Sequence, residues 1–228
     1  MKVFVIHTGS KGNCYEIIDR NGTVLMIDCG VPFAHIAESN LRKRIKTSNT
    51  VACLVSHEHT DHYKFADELK KHGIPVHLGK ELFEKNGKTP VRFGNFTVFP
   101  LKLRHNVECF GFVVVCEGKT IFYASDTTAL PNLSTAKIDM LMVECNYNEE
   151  ALFDRLNYGE IDNKGYLEHL SLEYLDWWLT NKISKPKSVL VIHKSNSGSA
   201  NYDYVLKTLK NNTESAILAE NGGIYEVV

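Results

Sequence analysis

Apolar residues along the chain fall mostly into short runs of strand length. VFVIH (3–7), CYEIID (14–19) and VLMID (24–28) are apolar or alternating, and the turn signals GSKGN and DRNGT separate them. The pattern predicts a meander of three strands. LRKRIK (41–46) is charged and only weakly periodic, whereas VACLV (51–55) is the continuous apolar run of a buried strand. Phe65, Ala66 and Leu69 then recur at helical spacing, and Gly73 closes that helix. FTVFPLKL (96–103) alternates, with Pro100 marking an edge or bulged strand. FGFVVVC (110–116) and TIFYA (120–124) flank the tight hairpin signal EGK. IDMLMVE (138–144) and SVLVI (188–192) read as buried strands. LEYLDWWLT (172–180) reads as a helix capped by Ser171, and NYDYVLKTLKN (201–211) as another. AILA and IYEVV are expected to close the fold as a pair around ENGG. Strand meanders with a few helices predict α/β layers rather than a purely parallel doubly wound sheet.

The chain has 228 residues, enough for one well-buried domain, and no linker, repeat or low-complexity tract divides it. Residues 1–228 are therefore expected to form a single domain. A net charge of −1 gives no global basic signature of a nucleic-acid binder. The basic runs RKRIK (42–46) and KISKPK (182–187) are expected to be solvated faces. Cysteines 14, 29, 53, 109, 116 and 145 lack C-x-x-C spacing, and most lie in or beside apolar runs as small hydrophobes, so no disulfide framework is expected. The N-terminus reads as a strand rather than a signal peptide, and no apolar run is long enough to span a membrane. These features lead to the expectation of a cytoplasmic protein.

SHEHTDH (56–62) changes the picture. His57 and His59, two apart in an extended segment, point to one side. Asp61 and His62 follow as the chain turns into a helix and can face the same cleft from a second direction. A polar loop at a helix start is the plain alternative, but chance gives H-x-H-x-D-H only on the order of once per thousand such sequences. Further candidates stand at strand ends: His105 after FTVFPLKLR, Asp126 after TIFYAS, Glu144 closing IDMLMVE, and His193 after SVLVI. Strand ends can bring distant residues into one cleft. Imidazoles and carboxylates suit two divalent ions here, with zinc first and manganese or iron as alternatives, and Asp126 could bridge them. His7, His35, His72 and His77 have no partners in this pattern and are expected to be structural. Cys145 is expected to be a buried small hydrophobe.

These motifs resemble the metallo-β-lactamase superfamily over nearly the whole chain. The carriers are H-E-H-T-D-H after a buried strand, His105, Asp126 in ASDT, His193 in VIHKS, and TVLMIDCG, where Asp28 would support the metal loop. GSKGNCYEI, ECNYNEE, EHLSLE and HKSNSGSANYD are most similar to its YycJ/WalJ-type branch. The resemblance implies an αββα sandwich, two mixed β-sheets flanked by helices. It implies one metal on His57, His59 and His105, another on Asp61, His62 and His193, and Asp126 between them. Glu144 and His169, the latter in E-H-L-S, look like the pair that assists phosphodiester cleavage in the ribonuclease Z branch. The chain departs from the pattern at Asn106, where the branch usually has Asp, and at Glu168, where Gly usually precedes H-L-S.

The implied activity is a two-metal phosphodiesterase acting on nucleic acid, DNA favoured and RNA possible, in the manner of an exonuclease and with no membrane partner. A hydroxide shared between the ions would attack phosphorus in line. Asp61 would orient it, and His169, supported by Glu144, would stabilise the developing charge or protonate the leaving oxygen. Ser195, Asn196 and Ser197 could donate to a phosphate, with a simple polar loop as the plainer reading. The rivals are a hydrolase of the same fold acting on a small ester, thioester, lactone or cyclic nucleotide, and a non-catalytic metal-binding module.

Overall fold

The computed structural model describes residues 1–87, 89–157, 166–195 and 199–228. The opening meander forms as β1 (Lys2–His7), β2 (Cys14–Ile18) and β3 (Val24–Ile27), joined antiparallel. The chain then crosses through helix α1 (Phe33–Lys43), so β4 (Thr50–Val55) runs parallel to β3. Helices α2 (Thr60–Tyr63) and α3 (Ala66–Lys71) lead to β5 (Val76–Leu78), parallel to β4, and α4 (Gly79–Asn86) follows.

The second sheet begins with β6 (Val91–Phe93), β7 (Phe96–Leu103), β8 (Cys109–Cys116) and β9 (Lys119–Ala124), an antiparallel series. Glu117 and Gly118 both take positive φ, 54° and 71°, the twist-matched two-residue turn that EGK predicts. β10 (Met140–Glu144), β11 (Ser188–Ile192) and β12 (Ser215–Leu218) extend this sheet in parallel. Helices α5 (Glu149–Asn157), α6 (Leu172–Asn181) and α7 (Tyr202–Leu209) lie between them in sequence. Ser171 caps α6 by accepting from the Tyr174 N–H, as its residue type predicts. The last strand, β13 (Ile224–Glu226), returns to the first sheet, whose order is β13-β1-β2-β3-β4-β5. The other runs β12-β11-β10-β9-β8-β7-β6.

Both sheets are covered on both faces, which is why their inner strands read as continuous apolar runs. Leu25, Ile27 and Leu54 meet Phe112, Tyr123 and Met142 between the sheets. The alternate residues Val24, Met26 and Cys53 pack outward with Ile36 and Leu69 of the helices. On the other side, Leu141, Val143 and Val191 pack with Leu175, Trp178 and Val205. The layers are therefore helix, sheet, sheet, helix, as the resemblance implied. All six cysteines are buried. Among the described residues, no helix is long and apolar enough to cross a membrane.

Several expectations are corrected. AILA and IYEVV do not pair: β12 joins β11 and β13 joins β1, so the closing segment bridges the two sheets. LRKRIK is the end of α1 and the turn beyond it, with Arg44 in the left-handed cap conformation. Lys43 of RKRIK is not solvated but buried against the carboxylate of Glu16 and the ring of Phe4. Pro100 does sit at an edge, because β6 pairs only Phe96–Val98 of β7 and leaves the proline's outer side open.

Candidate metal centre

The loop after β4 is fastened before it presents any ligand. Asp28, one residue beyond β3, accepts at Oδ1 from the Ser56 N–H (2.7 Å), and its Oδ2 accepts from the Tyr123 hydroxyl (2.5 Å) and His62 Nδ1 (2.7 Å). Cys29 N–H donates to the His62 carbonyl (2.8 Å), and Asn13 N–H to the Asp61 carbonyl (2.7 Å). Gly30 is required at this junction, since a Cβ there would lie 1.8 Å from the Asp61 carbonyl oxygen. The DCG segment thus does the supporting work expected of Asp28.

Three residues leave their strands in the left-handed conformation: Asp28 (φ 60°), Asp126 (φ 51°) and His193 (φ 51°). Asp and His are among the side chains that tolerate it, at a cost of about 1–3 kcal/mol each. Strain repeated at three strand ends of one cleft requires strong local support. The hydrogen bonds around Asp28 and from His193 N–H to Thr8 Oγ1 (2.8 Å) supply part of it.

These bends gather the candidates. The donor atoms of His57, His59, His105 and Asp126 lie within 4.8 Å of one another, as do those of Asp61, His62, Asp126 and His193, and those of Asp126, Glu144, His169 and His193. Asp126 belongs to all three groups. Its Oδ2 is 3.5 Å from His57 Nε2 and 3.3 Å from His62 Nε2, while Oδ1 is 3.3 Å from His193 Nε2. Asp61 Oδ2 lies 3.3 Å from His193 Nε2 and 3.4 Å from His62 Nε2. His105 Nε2 and His59 Nδ1 are 3.3 Å apart.

The donor set fits divalent cations. His57 Nε2 is buried without a hydrogen-bond partner, although its Nδ1 is 3.0 Å from Ser56 Oγ. A lone nitrogen beside other imidazoles and a carboxylate is the coordination such an ion satisfies. His62 has Nδ1 tied to Asp28, which leaves Nε2 for the centre. Electrostatics agree. Burial opposes charge on His62 and His193, yet the surrounding carboxylates, Asp126 foremost, hold His62 well above its usual value and His193 at about 10. Burial likewise opposes the charge on Asp126 and Asp61, but the same imidazoles hold both well below the usual carboxylate range. A cation bound here would displace those protons.

His169 stands at the edge of this cluster. Its Nδ1 is 2.6 Å from Glu144 Oε2, and its ring centroid is 5.5 Å from that of His193 and 6.2 Å from that of His105. Glu144 is fully buried and also accepts from Asn146 Nδ2 (2.9 Å) and the Thr127 N–H (2.7 Å). Burial opposes protonation of His169, but Glu144 outweighs it and raises the imidazole above its usual value. The two departures from the family pattern meet: Asn106 Nδ2 donates to Glu168 Oε2 over 2.7 Å.

Sequence reasoning missed the supports Asn13, Ser56, Tyr123, Thr127 and Asn146. Asn13 Nδ2 lies 3.0 Å from His62 Nε2 and 3.3 Å from Asp61 Oδ2, a role its GSKGN turn does not advertise. The histidines set aside stay outside the cluster: His72 stacks on Phe33, His77 tilts against Phe93, and His7 donates from Nδ1 to the Gly12 carbonyl. Asn196 and Ser197 lie outside the described residues, and the backbone N–H of Ser195 donates to the Tyr202 hydroxyl.

Residues 23–172 match the family model described as a beta-lactamase superfamily domain. The chain belongs to the beta-lactamase superfamily. Its fold is shared with the metallo-beta-lactamase fold protein YhfI from Bacillus subtilis at a TM-score of 0.75 and 19% identity, covering 99% of both chains. The human short-form tRNase Z aligns at 0.65 and 13% over 100% of both chains. A diphosphatase of the PhnP family aligns at 0.66 and 14%, covering 99% of this chain and 97% of the other. A search of curated proteins finds no significant sequence match. The sandwich is thus that of a superfamily member.

Proposed function

We propose that this superfamily member is a phosphodiesterase of the YycJ/WalJ-type branch that cleaves nucleic acid, DNA by preference and from a chain end, using two divalent ions, zinc before manganese. The observation that carries the reading is the pairing of half-buried His169 with fully buried Glu144 beside the metal cluster. An alkoxide leaving phosphorus needs a proton, and an imidazole held by a buried carboxylate beside the metal cluster is a donor for it. The names of two fold neighbours, a tRNase and a diphosphatase, are compatible with phosphate chemistry.

His57, His59 and His105 would hold one ion, Asp61, His62 and His193 the other, with Asp126 shared. When bound, the ions would lower the pKa of a water at the cluster and draw charge from the phosphoryl oxygens. Asp61, its carboxylate fixed by His62 and His193, would orient that water for in-line attack. As the P–O bond breaks, the leaving oxygen takes the proton from His169 Nε2, while Glu144 holds Nδ1 and stabilises the imidazolium beforehand. The whole of residues 1–228 is read as one hydrolase domain, and its six buried thiols suit the cytoplasm.

His169→Ala tests the pair. The expected result is unchanged metal content with cleavage of single-stranded DNA reduced about 10²–10⁴-fold. Undiminished turnover would leave His169 only a packing role. A panel of small esters, thioesters, lactones and cyclic nucleotides run beside DNA and RNA separates the rival activities, and inactivity towards all of them would favour a non-catalytic module.

A further inference from the structure

A cleft of about 350 Å³ opens against Asp61 and is lined also by His7, Ser10, Lys11, Thr60 and Lys64. It meets the metal cluster only through Asp61, whose carboxylate is occupied by His62 and His193 at 3.4 and 3.3 Å. Among the described residues neither Lys11 nor Lys64 is ion-paired, and Lys64 Nζ lies 5.4 Å from the Phe65 ring centroid. Acids on the neighbouring helices are occupied elsewhere. Glu68 accepts from the Phe33 N–H, and Glu38 pairs with Arg42.

The loop carrying Ser10 and Lys11 is held in place. His7 donates to the Gly12 carbonyl over 2.7 Å, and Gly12 approaches Gly30 so closely that a Cβ would sit 2.6 Å from the Gly30 carbonyl oxygen. Two ammonium groups and two hydroxyls thus surround a cleft on a fixed backbone. A second cleft, of about 190 Å³, opens against His57 and His59 and has the opposite character. There Lys80 is bound to Glu108 at 2.6 Å, Glu108 also holds Lys102 at 3.3 Å, and Glu58 is exposed on the wall. An anion entering that side would meet the exposed Glu58 and a lysine already held by Glu108. One entering beside Asp61 would meet two ammonium groups without ion pairs among the described residues, next to a single carboxylate that His62 and His193 hold.

We infer that the cleft beside Asp61 binds a second phosphate of the substrate strand, the one next to the scissile phosphate. The inference rests on the phosphodiesterase reading and adds a direction to it: the strand leaves the metal centre past Lys11 and Lys64. Charge-assisted hydrogen bonds from ammonium and hydroxyl groups to phosphate oxygens supply the recognition.

Binding to metal-free protein tests this without any turnover. Calorimetric titrations would compare the dinucleotide TpT with pTpT and TpTp, which carry one more phosphate at one end or the other. One of the two phosphorylated forms is expected to bind about tenfold more tightly than TpT, and the identity of that form gives the strand polarity. The double variant Lys11→Gln/Lys64→Gln, checked for an unchanged melting temperature, is expected to lose that advantage. Equal binding of all three dinucleotides by the natural protein, or an advantage that survives in the double variant, would overturn the inference. Failure of metal-loaded natural protein to hydrolyse bis(p-nitrophenyl) phosphate would instead count against the phosphodiesterase reading and leaves the binding comparison standing separately.

Discussion

His193 concentrates the physics of the site in one side chain. It ends β11 in a left-handed conformation, is buried, and faces Asp126, Asp61 and Glu144. Those carboxylates raise its pKa to about 10. A raised imidazole pKa stabilises the fold fully below the unfolded value of about 6.5, and that contribution is lost as pH rises through 10. Chelated protein is therefore expected to lose melting temperature between about pH 6.5 and 10, while His193→Gln, already without the charge, shows a shallower slope. Equal slopes for the two proteins would contradict this. At this scale the sequence was informative because HEHTDH compresses four of the cluster's donors into six positions. It was silent on Asn13, Ser56 and Asn146, whose common residue types carry no spacing signal. Glu168 and Asn106 looked like separate departures, and only their 2.7 Å hydrogen bond shows them to be one feature.

Elements place the candidate ligands, and the contact that matters most is between two loops. The turn after β3 and the loop after β4 lie so close that Gly30 has no room for a methyl group. Gly30→Ala is expected to push the Asp61 backbone away, to destabilise the protein by about 1–3 kcal/mol, and to lower metal content at the Asp61–His62–His193 group. Gly73→Ala is the control, with positive φ but nothing within 4 Å of the added Cβ. Unchanged metal content in Gly30→Ala would mean the loop docks differently. Strand runs were legible because each inner strand is apolar on both faces. Helix α1 was not, since its buried positions include the polar Ser39 and Asn40 while Leu41 is 80% exposed. Short β5 and β6, three residues each, offer too little pattern to read.

On the scale of the whole molecule, the sheets act as two plates whose strand ends share one edge. The first supplies His57, His59, Asp61 and His62 after β4, and the second supplies His105, Asp126, Glu144 and His193. The pairing of β13 with β1 rather than with β12 links the plates through the C-terminal segment. Local sequence could not reveal that, because neighbouring strands in sequence usually pair and this pair does not. Lys43, buried with Glu16, shows the same limit for charge patterns: RKRIK reads as solvated until the fold encloses one member.

On the reading proposed above, the shared-Asp126 cluster takes two ions and uses them on phosphodiesters. Chelated protein titrated with zinc, and separately with manganese, against end-labelled single-stranded DNA tests it most directly. Cleavage is expected to rise with added metal and to reach its plateau at about two equivalents per chain. No cleavage at any metal ratio, or a plateau at one equivalent, would rule out a two-ion phosphodiesterase.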